Sequence, residues 1–263
     1  AQIGSERIQF PTMWPRLNDA IGGYRPGGLY VVGARPGVGK SIFGVQSVLD
    51  LAPHGHVVVH SMEMSRNEVF DRLTANVASI NTRRLDGSGG QMRPEDWAAL
   101  EVQRNFMRNL PMSLDDRASV SMNQIRSHVR TVSRRGKVSG LVIDYLGLIQ
   151  GKPWQKSRYD ISRELKVLAK DFDIPVIVLA QLNREAAGTA PGLHHLRDSG
   201  SVEQDANVVL MLHQEESGEF VMMLEKNRQG PNGIRIPLVR RGEYARLEQS
   251  VPLSEMFPAP EES

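Results

Sequence analysis

Residues 29–51, Leu-Tyr-Val-Val-Gly-Ala-Arg-Pro-Gly-Val-Gly-Lys-Ser-Ile-Phe-Gly-Val-Gln-Ser-Val-Leu-Asp-Leu, decide how the rest of the chain is read. The apolar, β-branched run at 29–32 predicts a strand buried on both faces. A loop with three glycines follows, and a helical-period stretch spans 40–51. Small residues are needed where a backbone wraps closely round a phosphate with successive N–H groups pointing inward, and the helix N-terminus adds a favourable dipole. Ala34, Arg35, Pro36, Gly37, Val38, Gly39, Lys40 and Ser41 are therefore the candidate nucleotide-binding residues. In this pattern Lys40 places its ammonium on the β- and γ-phosphates of ATP and Ser41 offers a hydroxyl to Mg²⁺. The pattern departs from the strict spacing only at Ala34, which stands where a first glycine is usual.

Working outward, short apolar runs alternate with helical-period stretches, as in βαβ units. Core strands are predicted at 29–32, 57–61, 141–144 and 176–180, and helices at 40–51, 67–78, 94–108, 122–134 and 161–172. The fold class is α/β: a mostly parallel central sheet with helices on both faces. Beyond Gln181 a polar segment gives way to strand-like runs at 208–213, 220–225, 234–239 and 245–247, separated by Gly, Pro and Asn clusters. These predict an antiparallel C-terminal extension of the same sheet. Segments 83–91 and 185–193 read as mobile loops. Residues 1–12 read as an N-terminal linker, 13–251 as one motor domain and 252–263 as a tail.

With 263 residues the chain can bury one sizeable core. Its 40% apolar and 24% charged residues are those of a globular protein, and a formal charge of +2 announces no nucleic-acid partner by itself. The absence of cysteine excludes disulfides and thiolate metal sites and fits a reducing compartment. The longest apolar runs are strand-sized, so no membrane partner is expected, and the first ten residues lack a signal-peptide core. The expected location is the cytoplasm.

Two carboxylates complete the candidate site. The apolar run 141–144 ends in Asp144, placed to hold Mg²⁺ through its water shell. Glu63 follows the strand predicted at 57–61, at the carboxyl edge where ligands bind in open α/β sheets, and is assigned as the general base. His54, His56 and His60 surround that strand without a Cys or acidic pattern, so they read as surface or strand-face histidines rather than a zinc site. Arg126, Arg130 and Arg134 read as a solvated helix face.

Taken in order, these motifs resemble the DnaB-type replicative helicase family, a branch of the RecA-like P-loop NTPases. The resemblance runs from Arg16-Leu17-Asn18 and Pro26-Gly27-Gly28 through Ala34–Ser41, Ser61-Met62-Glu63-Met64-Ser65, Asp144-Tyr145-Leu146, Gln181-Leu182-Asn183-Arg184 and the segment from Leu196 to Ala206, ending at Lys226-Asn227-Arg228-Gln229-Gly230-Pro231. Gly147 stands where the family often has Gln, and Asp198 where it has Glu. The resemblance implies that Gln181 senses the γ-phosphate and that Arg197, Asp198 and Gly200 track single-stranded DNA. It also implies that Lys226 and Arg228 reach the γ-phosphate of an adjacent subunit. The implied activity is ATP-dependent unwinding by a homo-hexameric ring, with a primase or loader as further partner. A RecA/RadA-like recombination ATPase, or a nucleotide-dependent loader or switch without processive unwinding, are the alternatives.

Overall fold

The computed structural model describes residues 9–150, 159–183, 191–196 and 204–250. In chain order the elements are α1 (Pro15–Ile21), β1 (Leu29–Ala34), α2 (Lys40–Leu51), β2 (His56–Ser61), α3 (Arg66–Ala78), α4 (Thr82–Leu85), α5 (Pro94–Arg108), β3 (Met112–Asp115) and β4 (Val120–Ser121). There follow α6 (Met122–Ser133), β5 (Val138–Asp144), β6 (Ile149–Gln150), α7 (Tyr159–Asp171), β7 (Val176–Gln181), β8 (Val208–Gln214), β9 (Phe220–Asn227), β10 (Ile234–Arg241) and β11 (Arg246–Gln249). A nine-stranded sheet runs β11-β10-β9-β8-β1-β7-β5-β2-β3, parallel from β8 to β3 and antiparallel from β8 through β11.

The pleat sends alternate side chains of one strand to opposite faces. On β1, Tyr30, Val32 and Ala34 join the core under α1, α2 and α3, while Leu29 and Val31 join the one under α6 and α7. Val57 and Val59 against Val58, and Ile177 and Leu179 against Val176 and Val178, divide in the same way. This two-sided burial is why these strands read as continuous apolar runs. β8 belongs with them: its first five residues are buried and it pairs in parallel with β1. The antiparallel extension therefore begins at β9, one strand later than expected from sequence. β3, which sequence did not single out, is a half-exposed edge strand whose register on β2 supplies what its short polar sequence lacks.

The stretch expected to be a linker is built into the body from its ninth residue onward. Phe10 exchanges two 2.8 Å backbone hydrogen bonds with Tyr24, and Phe10 and Thr12 are buried. Trp14 stacks on Phe43 of α2 at 4.6 Å and donates from Nε1 to the Leu247 carbonyl at 2.9 Å. Gln46 of α2 accepts from Leu247 N at 2.8 Å and donates to its carbonyl at 3.1 Å. Both ends of the described chain thus clamp the helix that follows the phosphate loop. In the 83–91 segment, read as a mobile loop, the first residues are helical (α4), and Arg84 forks onto buried Asp96 at 2.8 and 2.9 Å. The tail read at 252–263 lies outside the described residues.

Near the end of α2, burial pushes the Asp50 carboxyl from its ordinary 3.8 up to about 7, against a hydrogen bond from the Met13 backbone. The native state therefore holds a proton that the unfolded chain releases at lower pH. The sign follows: this contribution to stability is fully present below about pH 4 and is lost as pH rises through about 7. Denaturant titrations at pH 5 and pH 8 should show that decline in the wild type and a smaller one in Asp50→Asn. Equal declines in the two proteins would rule the assignment out.

Candidate functional site

The phosphate loop joins the carboxyl end of β1 to the first turn of α2. Gly37 and Gly39 have φ of +77° and +124°, which L side chains rarely adopt, and the space around Gly37 is open. Phe220 of β9 and Leu247 of β11 lie 3.8 and 3.6 Å from where a Cβ on Gly39 would sit, so the C-terminal strands support the loop from beneath.

Parallel pairing carries the carboxylates to the same edge. Ser61 registers with Asp144 across β2 and β5, and Met62 N donates to the Asp144 carbonyl at 2.7 Å. Beyond β2 the chain turns through Ser61–Ser65. Met62 and Met64 are buried, Ser61 Oγ donates to the Met64 carbonyl at 2.7 Å, and Ser65 caps α3 in a reciprocal box with Glu68. Two anchored methionines leave the residue between them projecting outward, and that residue is Glu63.

Lys40 Nζ is the hub of the site. It lies 2.9 Å from Glu63 Oε2 and 3.1 Å from Asp144 Oδ1, with the Tyr145 ring centroid at 4.2 Å. Ser41 Oγ donates to Asp144 Oδ2 at 2.7 Å. The Lys40 and Asp144 side chains are 10% and 6% exposed, whereas Glu63 is 52% exposed, so the lysine and aspartate are fixed and the glutamate is free to meet solvent. Apart from the Lys40 ammonium, Asp144 Oδ1 has no partner among the described residues, and that buried oxygen suits the water shell of a hard cation. Ser41 and Asp144 could thus hold Mg²⁺, and a cradle with left-handed glycines and a buried ammonium fits a triphosphate.

A cavity of about 220 Å³ opens here, lined by loop residues between Ala34 and Ser41 and by Glu63, Gln181, Arg72 and Arg240. Its cations Arg35, Lys40, Arg72 and Arg240 outnumber the carboxylates, as a polyanion requires. Arg72 of α3 and Arg240 of β10 escape a reading of motifs. Only the packing of α3 and the C-terminal strands brings them to the pocket, although the Arg240-Arg241 doublet closing a strand was a usable signal. Removing the glutamate's charge in Glu63→Gln should leave nucleotide binding near wild type and slow hydrolysis about 10²–10⁴-fold, read as phosphate release. Unchanged turnover would remove Glu63 from the role of base.

Gln181 ends β7 in register with Ala34 and faces the pocket. The next residue, Leu182, bridges to Leu196, and Asn183 N donates to the His195 carbonyl at 2.9 Å. This links the pocket wall to the residue that precedes Arg197. Arg197, Asp198 and Gly200 themselves lie outside the described residues, as does most of 185–193. Lys226 and Arg228 are not near the pocket. Lys226 registers with Val209 at the amino end of β8, and Arg228 donates its backbone N–H to the Asn207 carbonyl at 2.9 Å and its guanidinium to the Gln204 carbonyl. Along the strands the level of Ala34 lies five residues from Arg228 and three from Lys226, roughly 16 and 10 Å, beyond the reach of either side chain. Arg126, on the face read as solvated, pairs with Asp171 at 2.6 Å and ties α6 to the end of α7.

Residues 10–249 match the family model described as the DnaB-like helicase C terminal domain. The chain belongs to that family. Among DnaB-family relatives it is 32% identical over 260 residues to the replicative DNA helicase DnaB of Leifsonia xyli, and 30% identical over 259 residues to that of Geobacillus stearothermophilus. These alignments cover 92% and 91% of the chain but 56% and 57% of the relatives, so it spans little more than half their length. Among solved structures, one described as an ATPase domain superposes with a TM-score of 0.85 at 29% identity, covering 94% of this chain and 93% of that one. A DnaB-like replicative helicase studied for its interactions with primase superposes at 0.83, also with 29% identity, over 93% of this chain and 62% of that one. The fold is thus the RecA-like sheet of the DnaB family. No helix among the described residues is long and apolar enough to cross a membrane.

Proposed function

We propose that this domain hydrolyses ATP with Mg²⁺ and uses the cycle to move along single-stranded DNA as the motor of a replicative helicase. The observation that carries the reading is the Lys40 ammonium held between Glu63 and Asp144 beside an open phosphate loop. In that arrangement Lys40 and the loop N–H groups bind and orient the phosphates, Ser41 and Asp144 anchor the metal, and Glu63 accepts a proton from the attacking water. Bound Mg²⁺ supplies charge neutralisation at the phosphate oxygens. Gln181 reports the phosphate state through Leu182 and Leu196 to the DNA-contacting residues Arg197, Asp198 and Gly200. Lys226 and Arg228, too far from their own pocket, serve a neighbouring subunit, which makes turnover depend on a homo-hexameric ring. A primase is the partner suggested by the structural relative studied with one, and the cytoplasm is the place of action. Hydrolysis measured with and without single-stranded oligonucleotide, together with sizing and fork unwinding, tests this. Stimulation by DNA with a ring-sized particle is expected. Turnover indifferent to DNA in a monomer would favour a switch over a motor.

A further inference from the structure

We propose that His60, Asp115 and His128 form a binding site for one divalent transition-metal ion of the Zn²⁺ class, separate from the nucleotide pocket. Parallel register places His60 of β2 directly opposite Asp115 of β3, and α6 packs across β2 with His128 facing the same point. Each residue offers one ligand atom, and the three atoms lie within 4.8 Å of one another, the one such cluster among the described residues. His60 Nδ1 is 3.6 Å from Asp115 Oδ2, close to the roughly 3.3 Å between two ligands of a tetrahedral ion bonded at about 2.0–2.1 Å. His128 Nδ1 stands 3.2 Å from the other nitrogen of the same ring, His60 Nε2, a contact it would give up for the ion.

A second observation points to a ligand. His60 is fully buried, and its Nδ1, aimed at Asp115, has no hydrogen-bond partner among the described residues. A buried imidazole nitrogen left without a partner is unfavourable unless a hydrogen bond or an ion satisfies it. The donor set, two imidazoles and a carboxylate, is that of Zn²⁺ and Co²⁺ rather than Mg²⁺, and leaves a fourth position for water. His128 Nε2 is already held by Ser113 Oγ at 2.7 Å, the outer hydrogen bond that commonly orients a metal-binding imidazole.

Arg117 is the competing cation, donating to both Asp115 oxygens, and its side chain is 55% exposed and can yield to an ion entering from the open groove lined by Asp115, Asp116, Gln124 and His128. An ion here would tie the end of β2, three residues before Glu63, to β3 and α6.

The test is a Co²⁺ titration of the chelator-stripped protein at neutral pH, read by the visible band that four-coordinate Co²⁺ gives. One equivalent should bind, and His128→Gln and Asp115→Asn, both at partly exposed positions, should each weaken binding at least about tenfold while circular dichroism shows them folded. Asp144→Asn should leave the band unchanged. Zn²⁺ should compete with Co²⁺ and raise the wild-type Tm more than that of His128→Gln. Failure of the wild type to give the band, equal binding by His128→Gln, or loss of the band in Asp144→Asn alone would overturn the site.

Discussion

Lys40→Ala is expected to reduce ATP hydrolysis at least about 10²-fold, to background in a phosphate-release assay, because it removes the buried cation proposed to hold the phosphates. The same change has a structural cost. Asp144 keeps its bond from Ser41 but loses the ammonium at 3.1 Å from its other oxygen, leaving a buried carboxylate half satisfied. We expect a loss of about 1–3 kcal/mol in unfolding free energy. Glu63, half exposed, can turn to water and adds little to that loss. Lys40→Met, which keeps the aliphatic stem over Tyr145, separates the two effects by matching the catalytic loss with better packing. Near-wild-type turnover in either folded variant would show that the triphosphate is bound elsewhere.

Arg228→Ala should have an effect of comparable size for a different reason. Arg228 is exposed and its guanidinium is bonded to the Gln204 carbonyl, so its removal should change stability by no more than about 0.5 kcal/mol. A guanidinium delivered to a neighbour's γ-phosphate is typically worth about 10³–10⁵ in rate, so turnover should collapse while nucleotide affinity of the isolated subunit persists. Because the sheet separates Arg228 from its own pocket, complementation decides the matter. Mixing Arg228→Ala protein with Lys40→Ala protein creates interfaces that pair an intact loop with an intact arginine, and hydrolysis should reappear in the mixture. A mixture as inactive as its components, or a dilute monomer that turns over at full rate, would remove the role in trans.

How much was legible depends on what each residue's role requires. The turn between β1 and α2 could be read because its demands are local: left-handed backbone at Gly37 and Gly39, a strand before and a helix after. Asp144 was legible as a carboxylate closing an apolar run, and Glu63 through the turn between two methionines that resembles a known motif. The direction of β8 was not, since an apolar run buried on both faces carries no sign of whether its neighbour runs with or against it. Nor was the N-terminal stretch around Phe10, whose place is taken by contacts with Tyr24 and, through Trp14, with residues more than two hundred positions away near Leu247. Arg72 and Arg240 stayed hidden for the same reason. Arg72 is a lone arginine on a helix, and even the Arg240-Arg241 doublet marks only a charged strand end, not which pocket it faces, until the packing is known.

By itself the sequence determined the periodicities, the glycine-bearing turn between β1 and α2 and the identity of the charged groups, because backbone propensity and hydrophobic patterning act over a few neighbouring residues. Tertiary structure alone decided that Lys40 stands between Glu63 and Asp144, that Arg228 is shut off from its own loop, and that His60 meets Asp115 and His128. Those placements come from strand order and register across the sheet, which long-range burial selects and no local spacing encodes.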